Sequence, residues 1–308
     1  MMAHGIETSE ISVVVQGAID KVYTPKCLKL VRKYLPGSEI ILSTWEKSNT
    51  DGMEYDQVLY NKDPGAVRDK FNQGFVNNTT RQLVSTQNGI QLAHGKYILK
   101  IRSDLLLCSN VFLKYFHQYN KSDPRFSLFQ HRVIFSSLFS KKFCSAGYQN
   151  QPLPFHMGDW FVFGEAADIK FLYEISLPKE PEMSWNLAIY PYKGVKVNLL
   201  NGSHQYAPEQ YIFFNACKKK FPEISFSNYL DYDRENTMWS EKIIANSCII
   251  LDPCQIKYIS GKIRANNDKY RLWTKNISRA PETLRRGLYT HEVFNEDYKK
   301  YCLEMDCD

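Results

Sequence analysis

Four short apolar runs in the first hundred residues constrain the fold of this chain more than any other feature. They read ISVVVQ, EIILS, QVLY and KYILKI, and lie at 11–16, 39–43, 57–60 and 96–101. Each is rich in β-branched residues or leucine, which is typical of buried strands. Helical spacing of apolar residues occupies 27–35 and 78–93 between them. This alternation predicts an α/β fold whose central sheet is mostly parallel and flanked by helices.

Polar residues follow each of the four predicted strands. The carboxyl ends of parallel strands share one edge of a sheet, and ligands of α/β proteins bind beyond that edge. The side chains and glycine predicted to meet there are Gln16, Gly17, Ser43, Thr44, Trp45, Asp63, Arg102, Ser103 and Asp104. The sequence therefore predicts one ligand site at this edge.

Asp104 and Arg102 suggest what the ligand carries. A carboxylate at the end of a central strand can hold Mg²⁺ or Mn²⁺, and the ion can then bridge two phosphates. Arg102 can bind a phosphate as a fork. The alternative is that Asp104 caps the following turn and that Arg102 is solvated.

Two further residues of the N-terminal half are candidates for the same site. Arg81 reaches a phosphate if the N-terminus of the 78–93 helix faces the edge, and otherwise it is an ordinary solvated arginine. Asp63 contacts a nucleoside or only begins the Asp-Pro-Gly turn, and the turn is the preferred interpretation.

A second candidate group lies in the segment HMGDW. Asp159 is a candidate general base for a hydroxyl, Gly158 permits close approach, and Trp160 offers a platform for a sugar face. We expect His156 to lie with them, on the side of the site that binds the acceptor, the molecule that carries this hydroxyl. The alternative is a turn aspartate beside a core tryptophan.

The segment NGSHQYAPEQY adds two more candidates. Glu209 is a second candidate base, although at the start of a predicted helix it also simply favours the helix dipole. His204 is a candidate ligand of a metal or phosphate, but an isolated loop histidine is more often neither.

Composition and missing motifs narrow the class of protein. The 39 basic and 33 acidic side chains give a net charge of +6, too small an excess to indicate nucleic acid; anionic small molecules or an anionic membrane surface fit equally well. The sequence lacks the motifs GxGxxG, GxxxxGK[ST], GxSxG and HExxH. Their absence excludes the commonest classes of dinucleotide-binding protein, P-loop enzyme, hydrolase and metalloprotease.

The cysteines and the N-terminus predict a cytoplasmic protein. None of the eight cysteines forms a CxxC pair, and the polar N-terminal segment is unlike a signal peptide, so we expect reduced thiols. No apolar run has the length of a membrane span. The basic and aromatic stretches KKKFP, YRLWTKN and RRGLY resemble a surface for anionic lipid or a lipid-linked acceptor, although an ordinary solvated surface is favoured.

The ordered segments VVVQGAI, EIILSTWE, DPG, NNTTRQLVSTQNGIQLAHGKYILKIRSD, HMGDWFVFG and APEQY resemble the WavE-type lipopolysaccharide-synthesis family of bacterial glycosyltransferases. They span about 11–213. The resemblance implies a GT-A-like fold and transfer of a sugar from a nucleotide-diphosphate donor to a surface glycan, either lipopolysaccharide or capsule. It also implies that Asp104 is the diphosphate or metal carboxylate and that Asp159 and Glu209 are acidic site residues.

Together these observations predict a GT-A-like domain over 1–217 and a helical or irregular C-terminal extension over 218–308. The expected catalytic residues are Asp159 and Glu209, the acceptor side is His156 and Trp160, and the metal ligands are Asp104 and His204. The expected donor residues are Gln16, Gly17, Thr44, Trp45, Asp63, Arg81, Lys100, Arg102, Ser103 and Asp104. Only Asp104 matches the Asp-x-Asp motif of GT-A enzymes, which leaves metal dependence open.

Two other functions remain open at this stage. A nucleotidyl- or phosphotransferase acting on sugar phosphates would use the same sheet, acidic metal site and basic edge. A non-catalytic glycan- or lipid-binding module would explain the incomplete Asp-x-Asp. The expected partners are the donor, a glycan or lipid-linked acceptor and an anionic membrane surface, with no nucleic acid.

Overall fold

A computed structural model of the chain describes residues 5–68, 76–144, 151–179, 182, 205–229, 231–261 and 287–304. Its centre is a seven-stranded sheet in which six strands run parallel and one runs the other way. The strands are β1 (Ile11–Gln16), β2 (Glu39–Trp45), β3 (Gln57–Asn61), β4 (Val67–Arg68), β5 (Val76–Asn77), β6 (Tyr97–Arg102), β7 (Leu105–Leu107), β8 (Val133–Ser136), β9 (Phe161–Glu165), β10 (Cys248–Leu251) and β11 (Tyr258–Ser260). The central order is β10-β8-β9-β6-β1-β2-β3, while β7 pairs with β11 and β4 with β5.

Helices flank this sheet, which gives the mixed, Rossmann-like α/β architecture that the sequence predicts. They are α1 (Tyr23–Tyr34), α2 (Thr79–Gln91), α3 (Ala166–Tyr173), α4 (Pro208–Lys220), α5 (Arg234–Ser247), α6 (Pro253–Ile256) and α7 (His291–Tyr298). Short 3₁₀ segments cover Thr8–Glu10, Val111–Tyr115 and Pro124–Phe126, and a π-helical turn covers Lys299–Leu303. None of the described helices has the length and apolar character that crossing a membrane requires.

The central strands are buried on both faces, as parallel strands covered by helices must be. All six residues of β1 are buried, and so are the five interior residues of β2. Helix α2 packs closely on this core because Gly89 has no side chain: a Cβ there would lie 2.6 Å from Cγ1 of Val14. Earlier in α2, the hydroxyl of Ser85 donates to the side chain of Gln16 at the carboxyl end of β1, which holds this part of the helix at that edge of the sheet.

Two details differ from the sequence analysis. The apolar runs FSLFQ and RVIFSSLF both have the character of strands, but only Val133–Ser136 forms one; Pro124–Phe126 is a 3₁₀ turn capped by Asp123, whose side chain accepts a bond from the Arg125 amide. The C-terminal segment contributes β10, which pairs with β8 at the edge of the central sheet. We missed this strand because CIIL is only four residues long and directly follows a helix.

Candidate functional site

A cavity of about 930 Å³ lies at the carboxyl edge of the parallel strands. Residues that follow β1, β2, β3 and β6 line one part of it. Strand β9 runs antiparallel to β6, so its amino end lies at the same edge, and Asp159 and Trp160 precede that end. The lining residues are Gln16, Gly17, Ala18, Ile19, Asp20, Tyr23, Trp45, Asp63, Asn78, Arg81, Gln82, Ser85, Arg102, Ser103, Asp104, Phe139, Asp159, Trp160, Glu209 and Gly261.

Arg102 and Asp104 form an ion pair in the wall of this cavity. The Arg102 guanidinium donates from Nε to Oδ1 and from Nη2 to Oδ2 of Asp104, over 3.0 and 2.8 Å. Its centre lies 4.4 Å from the centroid of the Trp160 ring, within cation–π range. One edge and one face of the guanidinium are thus occupied, and Nη1 donates no hydrogen bond to any described residue. The group is held rigidly with free N–H donors, as recognition of an anion requires.

Arg81 and Asp63 form a second ion pair in the same cavity. Arg81 donates from Nε and Nη2 to the two Asp63 oxygens over 2.7 and 2.6 Å, and from Nη1 to the side chain of Asn78. The Arg81 guanidinium lowers the pKa of the Asp63 carboxyl. Asp63 also accepts a bond from the amide of Gly65, so the carboxylate serves both the ion pair and the Asp-Pro-Gly turn.

Hydrogen bonds fix the backbone between the two arginines. The Gln16 side chain accepts a 2.7 Å bond from the hydroxyl of Ser85. The Ser103 hydroxyl donates to the carbonyl of Ala18 over 2.6 Å. Gly17, at a φ of +116°, makes the turn out of β1 that places this carbonyl, and other residues rarely adopt that conformation.

Lys100 and Asp159 form a buried ion pair at the wall of the cavity. Lys100 is fully buried, and its ammonium donates to Oδ2 of Asp159 over 2.8 Å and to the main-chain carbonyl of the same residue. Burial lowers the pKa of Lys100. The ammonium lies 5.9 Å from the centroid of the Tyr173 ring, whose buried hydroxyl has no hydrogen-bond partner among the described residues.

Glu209, unlike Asp63, Asp104 and Asp159, forms no ion pair with a lysine or arginine among the described residues. It lies in the first turn of α4, and 19% of its side chain is exposed. Nε2 of the His156 ring lies 4.0 Å from Oε2 of Glu209. Burial, with a further contribution from the negative charge of Asp159, raises the pKa of Glu209 to about 7. A carboxylate with such a pKa can accept a proton near neutral pH.

The structure brings most of the predicted site residues together, but Ser43, Thr44, Lys100 and His156 do not line the cavity. Thr44 is buried away from the cavity, with its hydroxyl 3.2 Å from that of Ser48. Lys100 and His156 lie behind the lining, against Asp159 and Glu209 respectively. His204 lies outside the described residues.

The sequence analysis overlooked several lining residues. Asp20 and Tyr23 follow β1 at the start of α1, where Asp20 accepts bonds from the amides of Val22 and Tyr23. Phe139, in a T-shaped contact with Trp160, enters from the segment after β8. Asp20 could have been found as a capping residue just past the first strand end, whereas the position of Phe139 depends on the pairing of β8, which its own sequence does not reveal.

The described carboxylates offer limited support for a metal ion. Both oxygens of Asp104 already accept bonds from Arg102, and the described residues contain no group of three potential metal ligands. Asp104 still suits an ion that arrives with its ligand, because Mg²⁺ is commonly held by one or two carboxylates together with substrate phosphates.

Gly158 allows the segment that carries Asp159 to lie against the segment after β8. A Cβ on Gly158 would lie 2.8 Å from the Phe139 amide nitrogen and 2.9 Å from that of Ser140. We therefore expect Gly158→Ala to lower the free energy of unfolding by about 1–3 kcal/mol, because the backbone must shift. Gly5→Ala, with no atom within 4 Å of the added Cβ, is the control in denaturant unfolding. Equal stability of the two variants would refute this account of Gly158.

One comparison with known proteins decides the family. The sequence matches the WavE lipopolysaccharide synthesis family over residues 11–301. The chain belongs to the WavE family. The match reaches into the C-terminal third of this WavE chain, beyond the segments in which the sequence analysis noted the resemblance. No curated protein matches the chain significantly.

Proposed function

We propose that this WavE protein is a GT-A-like glycosyltransferase that moves a sugar from a nucleotide-diphosphate donor to a lipopolysaccharide or capsule glycan. Membership of a lipopolysaccharide-synthesis family supports a role in building surface glycan. The observation that carries the rest is the cavity at the sheet edge, which combines two fixed guanidinium groups with an acid of raised pKa. A glycosyl transfer needs both: cations for the diphosphate and a base for the acceptor hydroxyl.

The donor occupies the part of the cavity formed by β1, β2, β3 and β6. Its nucleoside lies near Gln16, Gly17, Trp45 and Asp63, and its diphosphate near Arg102 and Arg81. The free N–H groups of Arg102 support this assignment, because charge-assisted bonds to phosphate oxygens are among the strongest in proteins.

The transfer is an inverting displacement with Glu209 as the base. The acceptor oxygen bonds to the anomeric carbon, the bond from that carbon to the diphosphate breaks, and the hydroxyl proton passes to Glu209. Asp159, the other candidate base, is bound by Lys100. Its Oδ2 already accepts a bond from that ammonium, whereas no lysine or arginine forms an ion pair with Glu209 among the described residues.

Mg²⁺ or Mn²⁺ remains a prediction, with Asp104 as its protein ligand. Among the described residues, five carboxylates and two guanidinium groups line the cavity: Asp20, Asp63, Asp104, Asp159 and Glu209 against Arg81 and Arg102. This negative excess opposes an anionic diphosphate, and a divalent cation bound there would neutralise charge on the leaving group.

The acceptor side is formed by Trp160 and Phe139, whose rings suit a sugar face, with His156 behind Glu209. Attachment to an anionic membrane remains a prediction. Of the lysine run at 218–220, Lys219 donates to the carbonyls of Phe171 and Glu174, and Lys220 donates to that of Leu128. Two of the three ammonium groups therefore already have internal partners.

The proposal is tested by titrating the protein calorimetrically with a panel of nucleotides and nucleotide sugars, in Mn²⁺ and in EDTA. We expect one nucleotide-diphosphate family to bind, and its sugar donor to release nucleotide diphosphate when acceptor glycan is added. Release of pyrophosphate from a nucleoside triphosphate would instead support a nucleotidyltransferase. Glycan binding without nucleotide affinity would refute the proposal in favour of a non-catalytic module.

A further inference from the structure

The buried pair formed by Lys100 and Asp159 has no direct role in the proposed transfer, yet it borders the cavity. The Lys100 side chain has no exposed area, while that of Asp159 is 6% exposed and lines the cavity. Burying two charges is costly, and a buried ion pair rarely stabilises a fold more than apolar residues of similar size. A pair of this kind beside a candidate base therefore calls for another explanation.

Two contacts from Lys100 hold Asp159 in one position. The ammonium binds both a carboxylate oxygen and the main-chain carbonyl of Asp159, so it fixes the backbone and the side chain together. We propose that Lys100 is a positioning residue that acts on Glu209 through Asp159, by fixing a negative charge beside the base. This inference rests on Glu209 being the proton acceptor of the proposed function.

Asp159 and Glu209 line the same cavity, and two further titratable groups approach Glu209 from the described residues. His156 approaches from the segment that precedes β9, at 4.0 Å, and Lys141 faces Glu209 from the segment after β8. Lys141 and Lys100 both favour the ionised form of Glu209, and Asp159 favours the protonated form. Asp159 is therefore the neighbour whose charge keeps a proton on Glu209 to higher pH.

The test measures Glu209 itself, without donor or acceptor. Glutamate carboxyl carbons are labelled with ¹³C, and the Glu209 signal is identified by its loss in Glu209→Gln and followed by NMR as a function of pH. Asp159→Asn should lower the pKa of Glu209 by roughly one unit, since one nearby negative charge is removed. Lys100→Met should raise the pH at which Glu209 and Asp159 together take up their first proton, because the cation bound to Asp159 is then removed.

The double variant decides whether Lys100 acts through Asp159. If it does, Lys100→Met should shift the Glu209 titration less than half as far in the Asp159→Asn background as it does in the wild-type background. Equal changes in both backgrounds, or none in either, would overturn the inference. The double variant leaves neither charge unpaired, so comparing it with Asp159→Asn remains informative if Lys100→Met alone does not fold.

A matched pair elsewhere provides the control. Lys142, in the segment after β8, and Asp297, in α7, form a similar ion pair, with side chains 14% and 7% exposed and an N–O distance of 2.7 Å. Lys142→Met and Asp297→Asn should leave the Glu209 titration unchanged. His156→Gln removes the imidazole that lies 4.0 Å from Glu209, and the Asp159→Asn shift should persist in that background. A protein that shows these shifts but transfers no sugar would retain this inference and lose the proposed function.

Discussion

Replacing Glu209 by glutamine should lower the rate of sugar transfer by about 10²–10⁴-fold, the usual contribution of a general base. The amide preserves the size of the side chain and its place in the first turn of α4, but it cannot accept the proton of the acceptor hydroxyl. Nucleotide-diphosphate affinity should change little, because Glu209 contacts neither guanidinium. The measurement is single-turnover transfer with calorimetry in parallel.

Glu241→Gln is the control for this substitution. Glu241 is as exposed as Glu209, at 19%, but it lies outside the cavity, beside Lys142 and the hydroxyl of Tyr301. It should transfer sugar at the wild-type rate. Transfer by Glu209→Gln at more than a tenth of the wild-type rate would exclude Glu209 as the base and favour Asp159.

Replacing Arg102 by glutamine should weaken nucleotide-diphosphate binding at least about tenfold, or about 1.4 kcal/mol. The substitution removes the charge, the free N–H donors of the guanidinium and its packing on Trp160. Calorimetry in saturating Mn²⁺ measures the loss. The effect should be on affinity first, since the group binds the donor before any bond is broken.

Arg125→Gln is a closely matched control. Arg125 and Arg102 each bind an aspartate two positions away in the sequence, Asp123 and Asp104 respectively. Nε and Nη2 of Arg125 donate to the two oxygens of Asp123. Its side chain is 80% exposed and lies outside the cavity. Equal nucleotide affinity of the two variants would show that Arg102 is only a structural ion-pair residue.

The sequence predicted the parallel half of the sheet well because its signals are local. Each of β1, β2, β3 and β6 is a continuous apolar run, and the structure places their polar ends at one edge. That rule was enough to predict a site containing Arg102, Asp104 and Trp45 without any knowledge of contacts.

The pairing of charges could not be predicted in the same way. Lys100 lies in an apolar strand, and its partner Asp159 is far along the chain; they meet only because β9 runs antiparallel to β6. Asp159 is bound by this lysine, and that contact is what distinguishes it from Glu209 as a candidate base. The alternation of strands and helices in the sequence does not reveal which strand is reversed. The pairing of Lys100 with Asp159 therefore could not be predicted before the structure was known.

The late position of β10 has a consequence for how the molecule assembles. This edge strand pairs with β8, so that Cys248 lies opposite Val133 across a long stretch of chain. Strands β1, β2, β3 and β6 are all synthesised before residue 103 and pair among themselves. Because contacts between residues distant in sequence form slowly, a nascent chain can build the arginine side of the cavity well before the sheet closes at its other edge. On the ribosome, we therefore expect the surface that carries Arg81 and Arg102 to form before α4, which carries Glu209.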